Sequence, residues 1–171
     1  GAHFLNQLVM KMLPELVKVY DVVHLTGRGD DGFCTEKYEK MAHKNYISFE
    51  YLNRELAHVY AITDVCLSRA GASAICELSS LKIPAVYIPL GTDGSRGDQI
   101  LNARKMEEIG GAMMILQKNA TVARVTTTLL ELASDAAKRT QIAHASHVFG
   151  ARCVRAASVV VDLILGEVPG G

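Results

Sequence analysis

The stretch Ser68 to Pro89, SRAGASAICELSSLKIPAVYIP, constrains this chain more than any other. A short apolar run, Asp64-Val65-Cys66-Leu67, stops at Ser68-Arg69. A small-residue turn follows at Ala70-Gly71-Ala72-Ser73, and then Ile75, Leu78 and Leu81 recur at helical spacing. Pro84 opens a second apolar run from Ala85 to Ile88. Strand, glycine turn, helix and strand make one βαβ unit. Glycine at the turn lets backbone approach a ligand. The helix that starts there offers unpaired N–H groups and a dipole suited to an anion such as phosphate. Glu77 lies one turn beyond Ser73 on the same side of that helix. A carboxylate so placed can accept hydrogen bonds from ribose hydroxyls. The alternative is an ordinary βα turn with a solvated glutamate, because one glycine turn is a weak motif.

The rest of the chain extends the same alternation. Gly1 to Tyr20 predicts a helix with Phe4, Leu8, Met12, Leu16 and Val19 near one face, and Pro14 as a point where it divides. No strand precedes it. Asp21 to Leu25 predicts a buried strand ending at Thr26-Gly27, Phe33 to His43 a weak helix, Tyr46 to Leu52 a strand, and Asn53 to Ile62 a short helix. After the central unit come a glycine-rich loop, Gly91 to Gly97, and a helix Asp98 to Ile109 expected to bury Ile100, Leu101, Met106 and Ile109. Gly110-Gly111 ends that helix, and Ala112 to Leu116 is the last strand. Thr121 is placed to cap a helix running to Ser134. Two further helices, Asp135 to Phe149 and Ala151 to Leu165, precede a Gly/Pro tail.

Strands alternating with helices predict an α/β fold: a Rossmann-like parallel sheet with helices on both faces. Ligands of such sheets bind beyond the carboxyl ends of the strands. The turns at Gly27, Leu52-Asn53 and Gly71 and the loop from Gly91 to Asp98 then converge on one crevice. With 49% hydrophobic residues among 171, one domain with a real core is expected. Eighteen basic residues balance eighteen acidic ones, which argues against a nucleic-acid binder. Cys34, Cys66, Cys76 and Cys153 form no C-x-x-C pair, and Cys66 and Cys76 read as reduced core residues. No apolar stretch of about 20 residues is present to span a membrane.

Placed on these elements, Ser68-Arg69-Ala70-Gly71-Ala72 with Glu77, then Pro84, Pro89, Asp98-Gln99 and Asn102-Ala103, resemble the C-terminal, donor-binding domain of MurG-type N-acetylglucosaminyltransferases. Gly1-Ala2 with Leu5-Asn6 resembles the tail of that family's phosphate loop and the helix after it. These are GT-B enzymes that add N-acetylglucosamine to lipid I in peptidoglycan synthesis. The resemblance covers nearly the whole chain. It implies that residues 1–171 are a single nucleotide-sugar-binding domain of a longer two-domain enzyme. It also implies that a central first strand and an N-terminal acceptor domain lie outside these residues.

The resemblance further implies an inverting, metal-independent transferase that uses UDP-N-acetylglucosamine, with no separate cofactor and no catalytic residue in this half. Through the absent domain it implies a lipid-linked acceptor, and a place in the cytoplasm at the inner face of the membrane. Residue by residue, it assigns Glu77 to the ribose hydroxyls and Gly71, Ala72 and Ser73 to the diphosphate. Leu52 and Asn53 fall to the uracil edge, Asp98 and Gln99 to the donor sugar, and Arg69 to a supporting place. The sequence departs from the family at Ala74, where a hydroxyl is usual, and at Asp98, where some members carry Gln.

Other readings stand beside this one. A non-catalytic UDP-sugar-binding subunit needing a partner chain would use the same residues, as would a GT-B glycolipid synthase using another UDP-sugar. An epimerase of this architecture needs catalytic acids and a histidine around the crevice that the sequence does not supply. His144 and His147 have metal-ligand spacing but no third ligand, so no metal site is expected. The Arg-Gly-Asp tripeptides at Arg28 and Arg96 read as chance. The apolar side of the last helix, with Val154, Ala157, Val161, Ile164 and Leu165, reads as a face that docks onto this domain or the absent one, with a membrane surface as the alternative.

Overall fold

The computed structural model describes residues 3–29, 32, 34, 44–91 and 97–165. The expected helix Phe33–His43 apart from Cys34, most of the loop from Gly91 to Gly97, Gly1-Ala2 and the Gly/Pro tail lie outside the described residues. Helices and strands alternate in the order α1 (His3–Leu16), β1 (Val22–Leu25), β2 (Tyr46–Phe49), α2 (Leu56–Ala61), β3 (Cys66–Ser68), α3 (Ala72–Ser80), β4 (Ala85–Tyr87), α4 (Asp98–Glu108) and β5 (Met113–Met114). A 3-10 turn (Gln117–Asn119), α5 (Val122–Ser134) and α6 (Ala136–Leu165) follow. Pro14 falls in the last turn of α1 and does not divide it; the helix ends two residues later.

All strand pairs are parallel. β1 pairs with β2, Val23 opposite Ile47, and β4 lies between β3 and β5, Val86 opposite both Leu67 and Met113. Among the described residues the two sheets are separate, so β1 and β3 each keep an edge without a strand partner. Helix α1 bridges them. Its Leu8, Met12 and Leu16 pack in one cluster with Val86 and Ile88, while Met10 and Leu13 pack with Tyr46.

Strand β4 shows why helices must cover both faces. Val86 and Ile88 point into the cluster with α1 and α5, whereas Ala85 and Tyr87 point into a second cluster with Ile75, Leu78 and Met106 of α3 and α4. Side chains alternate across a strand, so a strand with no polar residue needs an apolar layer on either side.

Under the end of β1 sits a buried polar chain. Asn6 Nδ2 donates to the Thr26 carbonyl (2.8 Å), which leaves Asn6 Oδ1 to accept from His24 Nε2 (3.0 Å). His24 Nδ1 is then the acceptor for the Tyr46 hydroxyl (2.9 Å). Buried polar groups cost free energy unless paired, and this chain satisfies His24.

Three expectations need correction. The region read as two helices from Asp135 to Leu165 is one continuous helix, α6, with Gly150 inside it. A Cβ at Gly150 would lie 2.4 Å from the Ser79 carbonyl carbon, so this glycine permits close packing of α6 on α3. Cys76 is not a reduced core thiol: it is disulfide-bonded to Cys153 of α6, with Cα atoms 5.8 Å apart. Cys66 is free and only partly buried at the edge of the second cluster, and burial of its thiol pushes it up to about 12. Leu101 and Ile109, expected to be buried, are exposed, and so are Leu81 and Val19, which fall at the helical spacing of buried neighbours. Leu81 and Ile109 lie just past the ends of their helices, where the helical face no longer extends.

Candidate functional site

Within each sheet the strands run parallel, so the turns after β3 and β4 leave from one side of the larger sheet and those after β1 and β2 from one side of the smaller. Three contacts join the turns after β3 and β4 to each other and to α4. Arg69 Nη1 donates to the Ile88 carbonyl (2.9 Å), linking the exit of β3 to that of β4. Asn102 Nδ2 donates to the Ala70 carbonyl (3.3 Å), which anchors α4 to the glycine turn. The Leu90 amide donates to Gln99 Oε1 (3.0 Å), so Gln99 is held at the start of α4 with its Nε2 donors left over.

Helix α3 begins at Gly71, which is the N-cap in an extended conformation, φ −67° and ψ 147°. That conformation is open to any residue, so the turn itself does not require glycine. A Cβ there would meet nothing within 4 Å. What glycine leaves at this point is open space in front of the helix. No side chain caps the first turn, and Ala72 and Ser73 are exposed. The start of α3 therefore presents backbone donors and the positive end of the dipole outward.

One turn further on, Glu77 is exposed and lines a cleft of about 500 Å³ between α2 and α3. Asn53 from the turn after β2 lines the same cleft, with Leu56 and Tyr60 of α2. The Tyr60 hydroxyl donates to Glu77 Oε2 (3.2 Å). Burial first, and the Glu77 carboxylate second, push the Tyr60 hydroxyl up to about 12, so it stays a protonated donor through the neutral range.

The structure thus brings Asn53 and Glu77 together in the cleft. Gly71, Ala72 and Ser73 stand at the α3 N-terminus and do not line the cleft, which extends past the other end of α3 to Leu81, Lys82 and Ile83. Asp98 is exposed in the first turn of α4, after Gly97 in the left-handed conformation (φ 84°). Leu52 is half-buried in the turn before Asn53 and does not line the cleft. Arg69 is turned inward: besides the Ile88 carbonyl, its guanidinium lies over the Phe4 ring at 5.7 Å, and burial lowers its pKa. Its visible work is to hold the β3 and β4 exits against α1.

Sequence reasoning missed Tyr60. It lies 17 residues before Glu77, and no spacing rule connects residues on separate helices. Among the described residues no group of three or more His, Cys, Asp and Glu side chains could hold a metal ion. Nor, among them, is any helix long and apolar enough to cross a membrane.

Comparison with known proteins puts this arrangement in context. A transferase of Lachnoclostridium phytofermentans is 43% identical over 118 residues, 69% of this chain and 32% of its own. One of Clostridium kluyveri is 38% identical over 143 residues, 83% of this chain and 38% of its own. Both are named UDP-N-acetylglucosamine--N-acetylmuramyl-(pentapeptide) pyrophosphoryl-undecaprenol N-acetylglucosamine transferase. The chain therefore spans about a third of the length of these relatives. The crystal structure of Acinetobacter baumannii MurG superposes with a TM-score of 0.73 over 86% of this chain and 41% of that one, at 22% identity. It supports the Rossmann-like fold expected from the sequence. The description "Glycosyltransferase family 28 C-terminal domain" matches residues 1–158, and the chain belongs to that family.

Proposed function

We propose that this chain is the donor-binding half of an inverting glycosyltransferase. The full protein transfers N-acetylglucosamine from UDP-N-acetylglucosamine to a lipid-linked muramoyl-peptide acceptor. The observation that carries this reading is Glu77, exposed in the α2–α3 cleft one turn behind an uncapped helix start. In this reading Glu77 accepts the ribose hydroxyls, and the turn at Leu52-Asn53 meets the uracil edge. The backbone of Gly71, Ala72 and Ser73 holds the diphosphate, while Asp98 and Gln99 contact the sugar. As the bond to the anomeric carbon breaks, negative charge grows on the departing UDP. Fixed N–H donors and the α3 dipole then stabilise it more in the transition state than in the ground state. Deprotonation of the acceptor hydroxyl belongs to the other half.

Two features support a longer protein. The curated relatives are about three times as long, since this chain covers 32% and 38% of them. The unpaired edges of β1 and β3, both under α1, suit one further parallel strand between them. An acceptor domain outside these residues would supply the lipid-linked substrate and bring the enzyme to the cytoplasmic face of the membrane.

The test is a titration of UDP and its 2′,3′-dideoxy analogue into the full-length protein and its Glu77→Ala variant. Charge-assisted hydrogen bonds are worth on the order of 1.5–3 kcal/mol. In a partly open cleft the pair falls at the low end, and about 1.4 kcal/mol is a factor of ten. Glu77→Ala is expected to weaken UDP about tenfold and the dideoxy analogue far less. An equal loss for both ligands would refute the ribose assignment.

A further inference from the structure

We propose that Tyr60 is the positioning residue of the ribose site: its hydroxyl, bonded to Glu77 Oε2 across the α2–α3 cleft, sets the carboxylate in the orientation that receives the ribose hydroxyls. This inference rests on the reading of Glu77 given above and adds to it the part that fixes selectivity for a ribonucleoside.

The argument begins with what Glu77 lacks on its own helix. Its neighbours one turn away, Ser73 and Leu81, carry no positive charge. An exposed glutamate without a partner samples many rotamers, and each ligand that binds it must freeze them. Tyr60 supplies that restraint from outside. Its body packs on the cluster built around Ile75, Leu78 and Tyr87, so the ring is anchored from below. With two side-chain torsions and a fixed ring, tyrosine holds its hydroxyl at little entropic cost.

The division of hydrogen-bonding capacity also fits. A carboxylate offers about four acceptor sites over two oxygens. The Tyr60 hydroxyl takes one on Oε2. Oε1 and the second site on Oε2 remain for two vicinal hydroxyls, which demand acceptors in a fixed relation. The tyrosine hydroxyl also shares the negative charge without neutralising it. An arginine or lysine there would form an ion pair and compete with the sugar. Tyr60 thus orients the acceptor without occupying it.

The experiment compares the full-length protein with its Tyr60→Phe, Glu77→Ala and double variants, each titrated with UDP and 2′,3′-dideoxy-UDP. Phenylalanine keeps the packing and removes only the hydroxyl, and matching thermal melts check this. Tyr60→Phe is expected to weaken UDP about three- to fivefold while dideoxy-UDP changes less than about 1.5-fold. In the double variant the loss should equal that of Glu77→Ala alone, because Tyr60 acts through Glu77. Equal losses for both ligands, no loss for either, or losses that multiply in the double variant would each overturn the proposal. Should Glu77→Ala discriminate the ligands while Tyr60→Phe does not, the positioning role fails and the ribose reading survives. Should Glu77→Ala itself fail to discriminate, both fall.

Discussion

The two sheets are both parallel, yet water reaches them differently. In β4 and the residue after it, Ala85 to Ile88, no side chain is more than 1% exposed. In β1 and β2, Val23, Leu25 and Ile47 share one face and are 36%, 41% and 50% exposed. There an apolar residue lies outside while His24 lies inside, held by Asn6 and Tyr46. The lesson is that strand formation and strand burial are separate matters. Backbone pairing makes both halves sheets, but only the β3–β5 half has an apolar layer on either face among the described residues.

This contrast can be broken by mutation. The largest effect is expected at Gly150, where α6 touches α3 on the covered side. Gly150→Ala places a methyl group against the backbone of Ser79 and Ser80, neither of which is a flexible side-chain end. Overpacking of this kind costs about 3 kcal/mol, and denaturant unfolding of the variant should show a loss of at least that size. A loss below about 1 kcal/mol would mean that the helices separate freely and the covered half is no tighter than the open one.

A matched pair of truncations gives the next test. Ile88→Ala empties a fully buried site and should cost about 3–4 kcal/mol. Ile47→Ala, half exposed in β2, should cost less than about 1 kcal/mol. Equal losses in urea titrations would erase the distinction between the halves. Binding of a further strand or domain on the open side would reveal itself if Ile47→Ala proved costly in the full-length protein alone.

The smallest effect sharpens the boundary of α3. Lys82 follows that helix in the left-handed conformation, φ 59°, where the Ile83 amide reaches back to the Leu78 carbonyl (2.9 Å). Glycine is preferred at such a C-terminal cap. Lys82→Gly is expected to raise stability by about 0.5–1 kcal/mol, read as a small rise in the thermal midpoint. A fall would show that the lysine stem contributes packing beyond its backbone strain.

Much of the fold was legible because it rests on short-range signals. The small-residue turn at Gly71, the apolar run from Ala85 to Ile88 and the cap at Thr121, which accepts from the Arg124 amide (3.2 Å), are each local. What escaped depends on distant neighbours. Gly150 reads as a helix break until Ser79 is known to lie against it. Leu101 reads as buried because it is apolar, although it sits on the outer side of α4. In the site, the glycine turn and Glu77 stood out from their spacing. Tyr60 did not, because its meeting with Glu77 is made by the packing of two helices that β3 separates in sequence.

The Cys76–Cys153 bond also has a topological consequence. It spans 77 positions and closes a ring that contains β4, α4, β5 and α5. Closing a loop of that size removes chain entropy worth about 4.5 kcal/mol from the unfolded ensemble. Helix α1 and the β1–β2 pair lie outside the ring and gain nothing directly. An oxidised chain is therefore partly tied even when unfolded, with its N-terminal elements left as free ends. Reduction makes the whole chain one open string again. The same sequence thus has two different unfolded states, and its resistance to heat reports the redox state of its surroundings.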